Sequence, residues 1–133
     1  MMSESIFKEN LFEGKKVFIT GGATGMGLGF AKAFLEHGAD VLIASRKEEN
    51  LSKAASEIKD QTGKTLHWKM MDVRNNETVE EVAKHIKDTW GYLDVLVNNA
   101  AGNFVTPAAA MSENAWRAVI DIVLDGTFRV SKA

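Results

Sequence analysis

The sequence predicts an α/β fold: a doubly wound parallel sheet with helices on both faces, forming one domain over residues 1–133. Three observations carry that expectation. Short apolar runs alternate regularly with stretches whose apolar residues recur at helical spacing. The connections between them are short, as right-handed βαβ units require, because successive parallel strands need a helical crossover. The first apolar run also leads straight into a glycine-rich turn and a helical pattern.

Lys16-Val17-Phe18-Ile19-Thr20 reads as a short buried strand. A helix follows from about Gly25 to His37, with Leu28, Ala31, Phe34 and Leu35 on one face and Gly38 as its stop. Asp40 to Ser45 is the second strand, and Glu48 to Gln61 the second helix. That helix repeats Leu51, Ala54, Ala55 and Ile58, carries glutamates in its first turn and ends at Gly63. Leu66 to Met71 is the third strand. An Asn75-Asn76 cap then opens a helix over Glu77–Trp90, with Val79, Val82, Ala83 and Ile86 facing inward and Gly91 behind. Leu93 to Val97 is the fourth strand. Ser112 caps a fourth helix through Trp116, Val119, Ile120 and Val123, and Phe128 to Ala133 continue the pattern with no stop signal. A doubly wound sheet normally has further strands, so the pattern predicts one truncated after about four.

Composition narrows the function classes. Hydrophobic residues make up 45% and charged residues 26%, as in ordinary globular domains. A net charge of -2 argues against a nucleic-acid surface. No apolar stretch approaches the roughly 18 residues of a membrane span, and Met1 to Asn10 lacks the apolar block of a signal peptide. With no cysteine there is neither a disulfide nor a thiolate site, and a cytoplasmic location is expected. His37, His67 and His85 are widely spaced, without a metal-ligand pattern. Met70, Met71, Trp68, Trp90 and Trp116 read as core or interface.

The chemistry begins at Thr20-Gly21-Gly22-Ala23-Thr24-Gly25-Met26-Gly27. Small residues let the chain turn sharply and let a phosphate approach the first turn of a helix, where free amides and the helix dipole hold it. A merely tight strand-to-helix turn is the competing reading, and the flanking strand and helix weigh against it. The spacing is not Gly-x-Gly-x-x-Gly. It is Thr-Gly-x-x-x-Gly-x-Gly, and here the sequence resembles the short-chain dehydrogenase/reductase family, with its Rossmann-type sheet. Asp72-Val73 after the third strand and Asn98-Asn99-Ala100-Ala101-Gly102 after the fourth stand where that family has its adenine contact and its Asn-Asn-Ala-Gly block. The resemblance implies a cofactor held by Gly21, Thr24, Gly25, Met26, Gly27, Asp72, Val73, Asn99, Ala100 and Gly102. In this fold an acidic residue after the second strand binds a ribose 2′-OH and a cation binds a 2′-phosphate. Ser45 and Arg46 occupy that place with no carboxylate before Glu48, so NADP(H) is expected. A solvated Arg-Lys pair is the alternative there.

The run Asn98 to Phe104, with Ala44-Ser45-Arg46-Lys47, Asp72-Val73-Arg74 and Asp121-Ile122-Val123-Leu124, more narrowly resembles the 2,4-dienoyl-CoA reductases. That likeness implies an acyl-CoA substrate. Asn103 would act as an oxyanion-type catalytic donor, Phe104 would line the acyl channel, and Arg74 and Ser112 would meet the thioester. Each has a plainer alternative: Asn103 a loop brace, Phe104 a core aromatic, Arg74 a surface cation, Ser112 only a cap. Val123 stands where most family members carry an asparagine, which mildly favours carbon–carbon double-bond reduction. The family's Tyr-x-x-x-Lys is absent: the sole tyrosine, Tyr92, is followed at that spacing by Leu96. General-acid help gives about 10²–10⁴-fold, so this chain alone is expected to be nearly inactive. The family also implies a homotetramer built partly through the helix after Ser112. A carbonyl or alcohol oxidoreductase of the same fold and a non-catalytic nucleotide-binding domain stay open as alternatives.

Overall fold

In β1 (Lys16–Thr20), Val17 and Ile19 point to one face of the sheet and Phe18 to the other, and all are buried. A strand covered on both faces must be apolar throughout, which is why this run shows no polar alternation. β2 (Asp40–Ser45) repeats the arrangement, Val41 and Ile43 joining the first face and Leu42 and Ala44 the second. The structure, a computed structural model, describes residues 6–133.

Four parallel strands form the sheet in the order β3-β2-β1-β4, with β3 spanning His67–Met70 and β4 Val95–Val97. The register puts Val17 beside Val41 on one side and Val95 on the other. Helices α1 (Gly25–Glu36) and α2 (Glu48–Thr62) cover the first face with Ala31, Leu35, Leu51, Ala54 and Ile58. On the second face, α3 (Asn76–Trp90) brings Val79, Val82 and Ile86 against Phe18 and Leu42. Each such buried aliphatic side chain contributes roughly 1.5–3 kcal/mol. Asn75 caps α3, its side chain accepting from the amides of Glu77 at 2.9 Å and Thr78 at 3.4 Å.

Several expectations need correction. β3 and β4 are shorter than expected and only partly covered, because they are the outer strands of the described sheet. The fourth helix runs unbroken to Lys132 but is not regular. It comprises α4 (Glu113–Ile120), a π-helical turn (Asp121–Asp125) and α5 (Gly126–Lys132), which follow one another without a gap. Of the two readings of Trp116, core and interface, the first is wrong: Trp116 is 56% exposed, and the buried residue of α4 is Ala115. No described strand follows β4, the last strand on that side of the sheet, to offer a further apolar surface for Trp116. Met71 is core, whereas its neighbour Met70 on the edge strand is exposed.

Candidate functional site

The site forms where the strand ends meet the loops that leave them, the usual crevice of an open α/β sheet. Gly21 turns out of β1 with its amide donating to the Ala44 carbonyl at 2.8 Å, which hooks the loop to the end of β2. Its φ of 65° falls in the left-handed region, and a Cβ there would stand 3.0 Å from the Ala100 backbone. Gly27, in the first turn of α1, approaches still more closely: a Cβ would lie 2.3 Å from the Gly21 carbonyl oxygen and 2.6 Å from Asn99 Nδ2. Gly25 opens the helix and Thr24 precedes it with extended backbone and no side-chain cap. The amides of that first turn are therefore left to whatever occupies the loop.

A buried threonine ties this loop to the far side of the cavity. The Thr20 hydroxyl accepts from the amides of Asn99 at 3.1 Å and Ala100 at 2.9 Å. In return Asn99 Nδ2 donates to the carbonyls of Thr20 at 3.1 Å and Gly21 at 3.0 Å. Asn99 is thus a clamp between the ends of β1 and β4.

The resulting cavity holds about 350 Å³, within the range of small-molecule sites. Gly21, Thr24, Met26 and Gly27 form one wall. Ser45 and Arg46 bound it after β2, Asp72, Val73 and Arg74 after β3, and Asn99, Ala100 and Gly102 after β4. A neighbouring recess shares Thr24, Ser45 and Arg46 and adds Lys47 and Asn50. Ser45 Oγ is buried without a hydrogen-bond partner among the described residues. Arg46 beside it is exposed and makes no hydrogen bond or ion pair among them. An orphaned hydroxyl next to an uncommitted guanidinium is a donor set suited to an anion.

Asp72 and Arg74 are committed to each other. Arg74 Nε donates to Asp72 Oδ1 at 3.0 Å, its terminal nitrogen reaches Oδ2 at 2.6 Å, and its backbone amide also donates to Oδ1 at 3.0 Å. The Arg74 hydrogen bond is the main reason the Asp72 pKa lies below the ordinary aspartate value. A carboxyl with a depressed native pKa adds stability above the ordinary range and loses it as pH falls through the native value. The melting-temperature gap between the wild type and Asp72→Asn should therefore be full above about pH 4 and close on further acidification. A gap unchanged down to about pH 2 would show that the pair contributes nothing of this kind.

Three expected residues stand outside this cavity. Asn103 and Phe104 lie on the exposed loop after β4, Phe104 at 57% exposure, so its alternative as a core aromatic is wrong. Ser112 caps α4, its hydroxyl accepting from the Ala115 amide at 3.2 Å. Thr20 opens the glycine motif in the sequence and Ile122 lies in the Asp121–Leu124 run, but nothing local shows that the Thr20 hydroxyl meets the Asn99 and Ala100 amides or that Ile122 lines the cavity. Arg129, which reaches the loop after β3 from α5, does not stand out in the sequence at all.

A family profile described as short chain dehydrogenase matches residues 15–133. The chain is 41% identical over 127 residues to the peroxisomal 2,4-dienoyl-CoA reductase, (3E)-enoyl-CoA-producing, of Danio rerio, an alignment covering 96% of this chain and 42% of that protein. It is 43% identical over 121 residues to "Probable 2,4-dienoyl-CoA reductase", (2E)-enoyl-CoA-producing, of Bacillus subtilis (strain 168), covering 91% and 47% respectively. Among solved structures, L-sorbose reductase from Gluconobacter frateurii complexed with NADPH and L-sorbose superposes with a TM-score of 0.83 at 26% identity, covering 91% of this chain and 46% of that one. The chain spans less than half the length of these curated relatives.

Proposed function

From the premise that the chain belongs to the short chain dehydrogenase family, we propose that it is the NADP(H)-binding part of a reductase acting on conjugated acyl-CoA thioesters. The carrying observation is the Ser45–Arg46 corner: two residues that line the glycine-loop cavity, one with a buried hydroxyl and the other with an exposed guanidinium, neither hydrogen-bonded among the described residues. Those two groups would take the 2′-phosphate, and the amides around Thr24–Gly27 the pyrophosphate. Asp72 and Val73 would flank the adenine, and Asn99, Ala100 and Gly102 would close over the other end. Bound there, the nicotinamide supplies the hydride. The NADPH named in the sorbose reductase structure supports the cofactor, and the dienoyl-CoA reductase names of two relatives support the substrate class.

Asn103 would donate to the developing enolate oxygen, an oxyanion-type role for which an exposed, uncommitted amide is available. Phe104 would present its ring to the acyl chain, and Arg74 and Ser112 would meet the thioester once they leave their present partners. With no Tyr-x-x-x-Lys in the sequence, turnover by this chain is expected to be lower by about 10²–10⁴-fold. Homotetramer assembly partly through α4, with its exposed Trp116, belongs to the same reading. Among the described residues no helix is long and apolar enough to cross a membrane. A reducing cytoplasm suits a cysteine-free chain, and localisation of the tagged protein to peroxisomes, the compartment in one relative's name, would overturn that assignment.

Titration with NADPH and NADH tests the cofactor. NADPH should bind more tightly, and Arg46→Asp should weaken NADPH by about 10–30-fold, the size of a lost charge-assisted contact, while sparing NADH. Equal affinities, or an indifferent Arg46→Asp, would overturn the reading. For the substrate, NADPH oxidation should require a dienoyl-CoA. Turnover of ketones or sugars instead would favour the carbonyl reductase alternative.

A further inference from the structure

We infer that Arg129 is a positioning residue for the nucleotide cavity, holding two of its walls together from behind, an assignment that rests on the nucleotide reading above. The observation starts at the π-helical turn Asp121–Asp125, where the Gly126 amide donates to the Asp121 carbonyl five residues back. Such a turn is uncommon and persists only where its surroundings over-determine it. Two features do so here. Gly126 sits so close to the loop after β3 that a Cβ would meet Val73 Cγ2 at 2.8 Å. One turn later the Arg129 guanidinium reaches back. The same terminal nitrogen donates to the carbonyls of Val73 and of Asp121, both at 3.3 Å, and the other pairs with Asp121 Oδ1 at 2.8 Å.

Val73 and Ile122 both line the cavity, and Arg129 does not. One planar fork therefore joins the loop after β3 to the wide turn that carries Ile122. Gly102 leaves room for Ile122, whose Cδ1 would stand 2.9 Å from a Cβ at that position. The separation between these walls sets the space for the adenine side of a nucleotide, so Arg129 acts on binding through Val73 and Ile122. Arginine fits this position because its rigid donor fork can span two carbonyls and a carboxylate at once, which a lysine cannot.

The test measures the affinity of the whole chain for NADPH and for 2′,5′-ADP by calorimetry, with melting temperatures alongside. Arg129→Met should weaken both ligands by about tenfold, as expected for loss of a charge-assisted bridge. Arg129→Lys, which keeps the ion pair with Asp121 and loses the fork, should fall between and guards against a misfolded methionine variant. Asp94→Asn is the control. It removes the Asp94 charge that pairs with Lys15 and one of the two oxygens that accept from Lys15 and the Lys16 amide at the other end of the sheet, and should lower the melting temperature with both affinities unchanged. If both Arg129 variants bind the ligands as the wild type does, Arg129 is a stabilising residue only and the inference fails. A wild type that binds neither ligand overturns the nucleotide reading instead.

Discussion

Gly27→Ala is expected to raise the Kd for NADPH by at least about 100-fold and to destabilise the chain by about 1–3 kcal/mol, the usual cost of forcing atoms into a packed site. Alanine is the better helix former by roughly 0.5–1 kcal/mol, so on propensity alone the substitution in α1 would be favourable. Sterics decide otherwise. The new methyl would lie 2.3 Å from the Gly21 carbonyl oxygen and 2.6 Å from Asn99 Nδ2. Neither is the free end of a flexible side chain. The carbonyl is backbone, and the amide is held by two hydrogen bonds. The first turn of the helix must back away from the loop, and the amides meant for the pyrophosphate go with it. Gly29→Ala, two positions along the same helix, meets no atom within 4 Å and should stabilise by roughly 0.5–1 kcal/mol. Paired denaturation and NADPH titrations would check both. Gly27→Ala binding within threefold of the wild type would mean that the loop does not cradle the phosphates.

Thr20→Val should cost about 2–4 kcal/mol in chemical denaturation, with the slope against denaturant unchanged. The two side chains have nearly the same shape, so packing scarcely changes. What disappears is an acceptor for the amides of Asn99 and Ala100, in a residue only 1% exposed. Buried donors left without a partner each cost about 1–3 kcal/mol. Thr20→Ser keeps the oxygen and should lose less than about 1.5 kcal/mol, the value of one methyl group with its small cavity. If the valine variant were no less stable than the serine variant, the junction between β1 and β4 would owe its position to something other than this hydroxyl. NADPH binding by Thr20→Val should weaken as well, because Ala100 and Gly21 border the same cavity.

The strands and helices are legible in the sequence because their causes are local. The apolar runs Val17–Ile19 and Val41–Ala44, each bounded by polar residues, form the two central strands Lys16–Thr20 and Asp40–Ser45, since a strand buried on both faces is apolar at every inner position. The Asn75 cap and the stops at Gly63 and Gly91 act within one turn of the chain and fall where the spacing puts them. The outer strands are shorter than their apolar runs, and Trp116 on α4 is exposed rather than core, because burial there depends on what packs against that helix. A helical pattern of Trp116, Val119, Ile120 and Val123 says that a face exists. It does not say that anything covers it.

The cavity divides in the same way. The glycine spacing, the Ser45-Arg46 pair and the Asn98–Gly102 block were determined by the sequence, because short-range steric freedom and side-chain chemistry are written residue by residue. Tertiary structure alone decided that Thr20 would bind two amides across the sheet, that Arg74 would close on Asp72, and that the last helical stretch would widen into a π-helical turn. It also decided that Arg129 would reach Val73, 56 positions away in the chain. Contacts of that range have no period and no local cap to announce them. They exist only once the sheet order has brought the strand ends to one edge, and the free energy of satisfying buried carbonyls and amides then selects which side chain fills each gap.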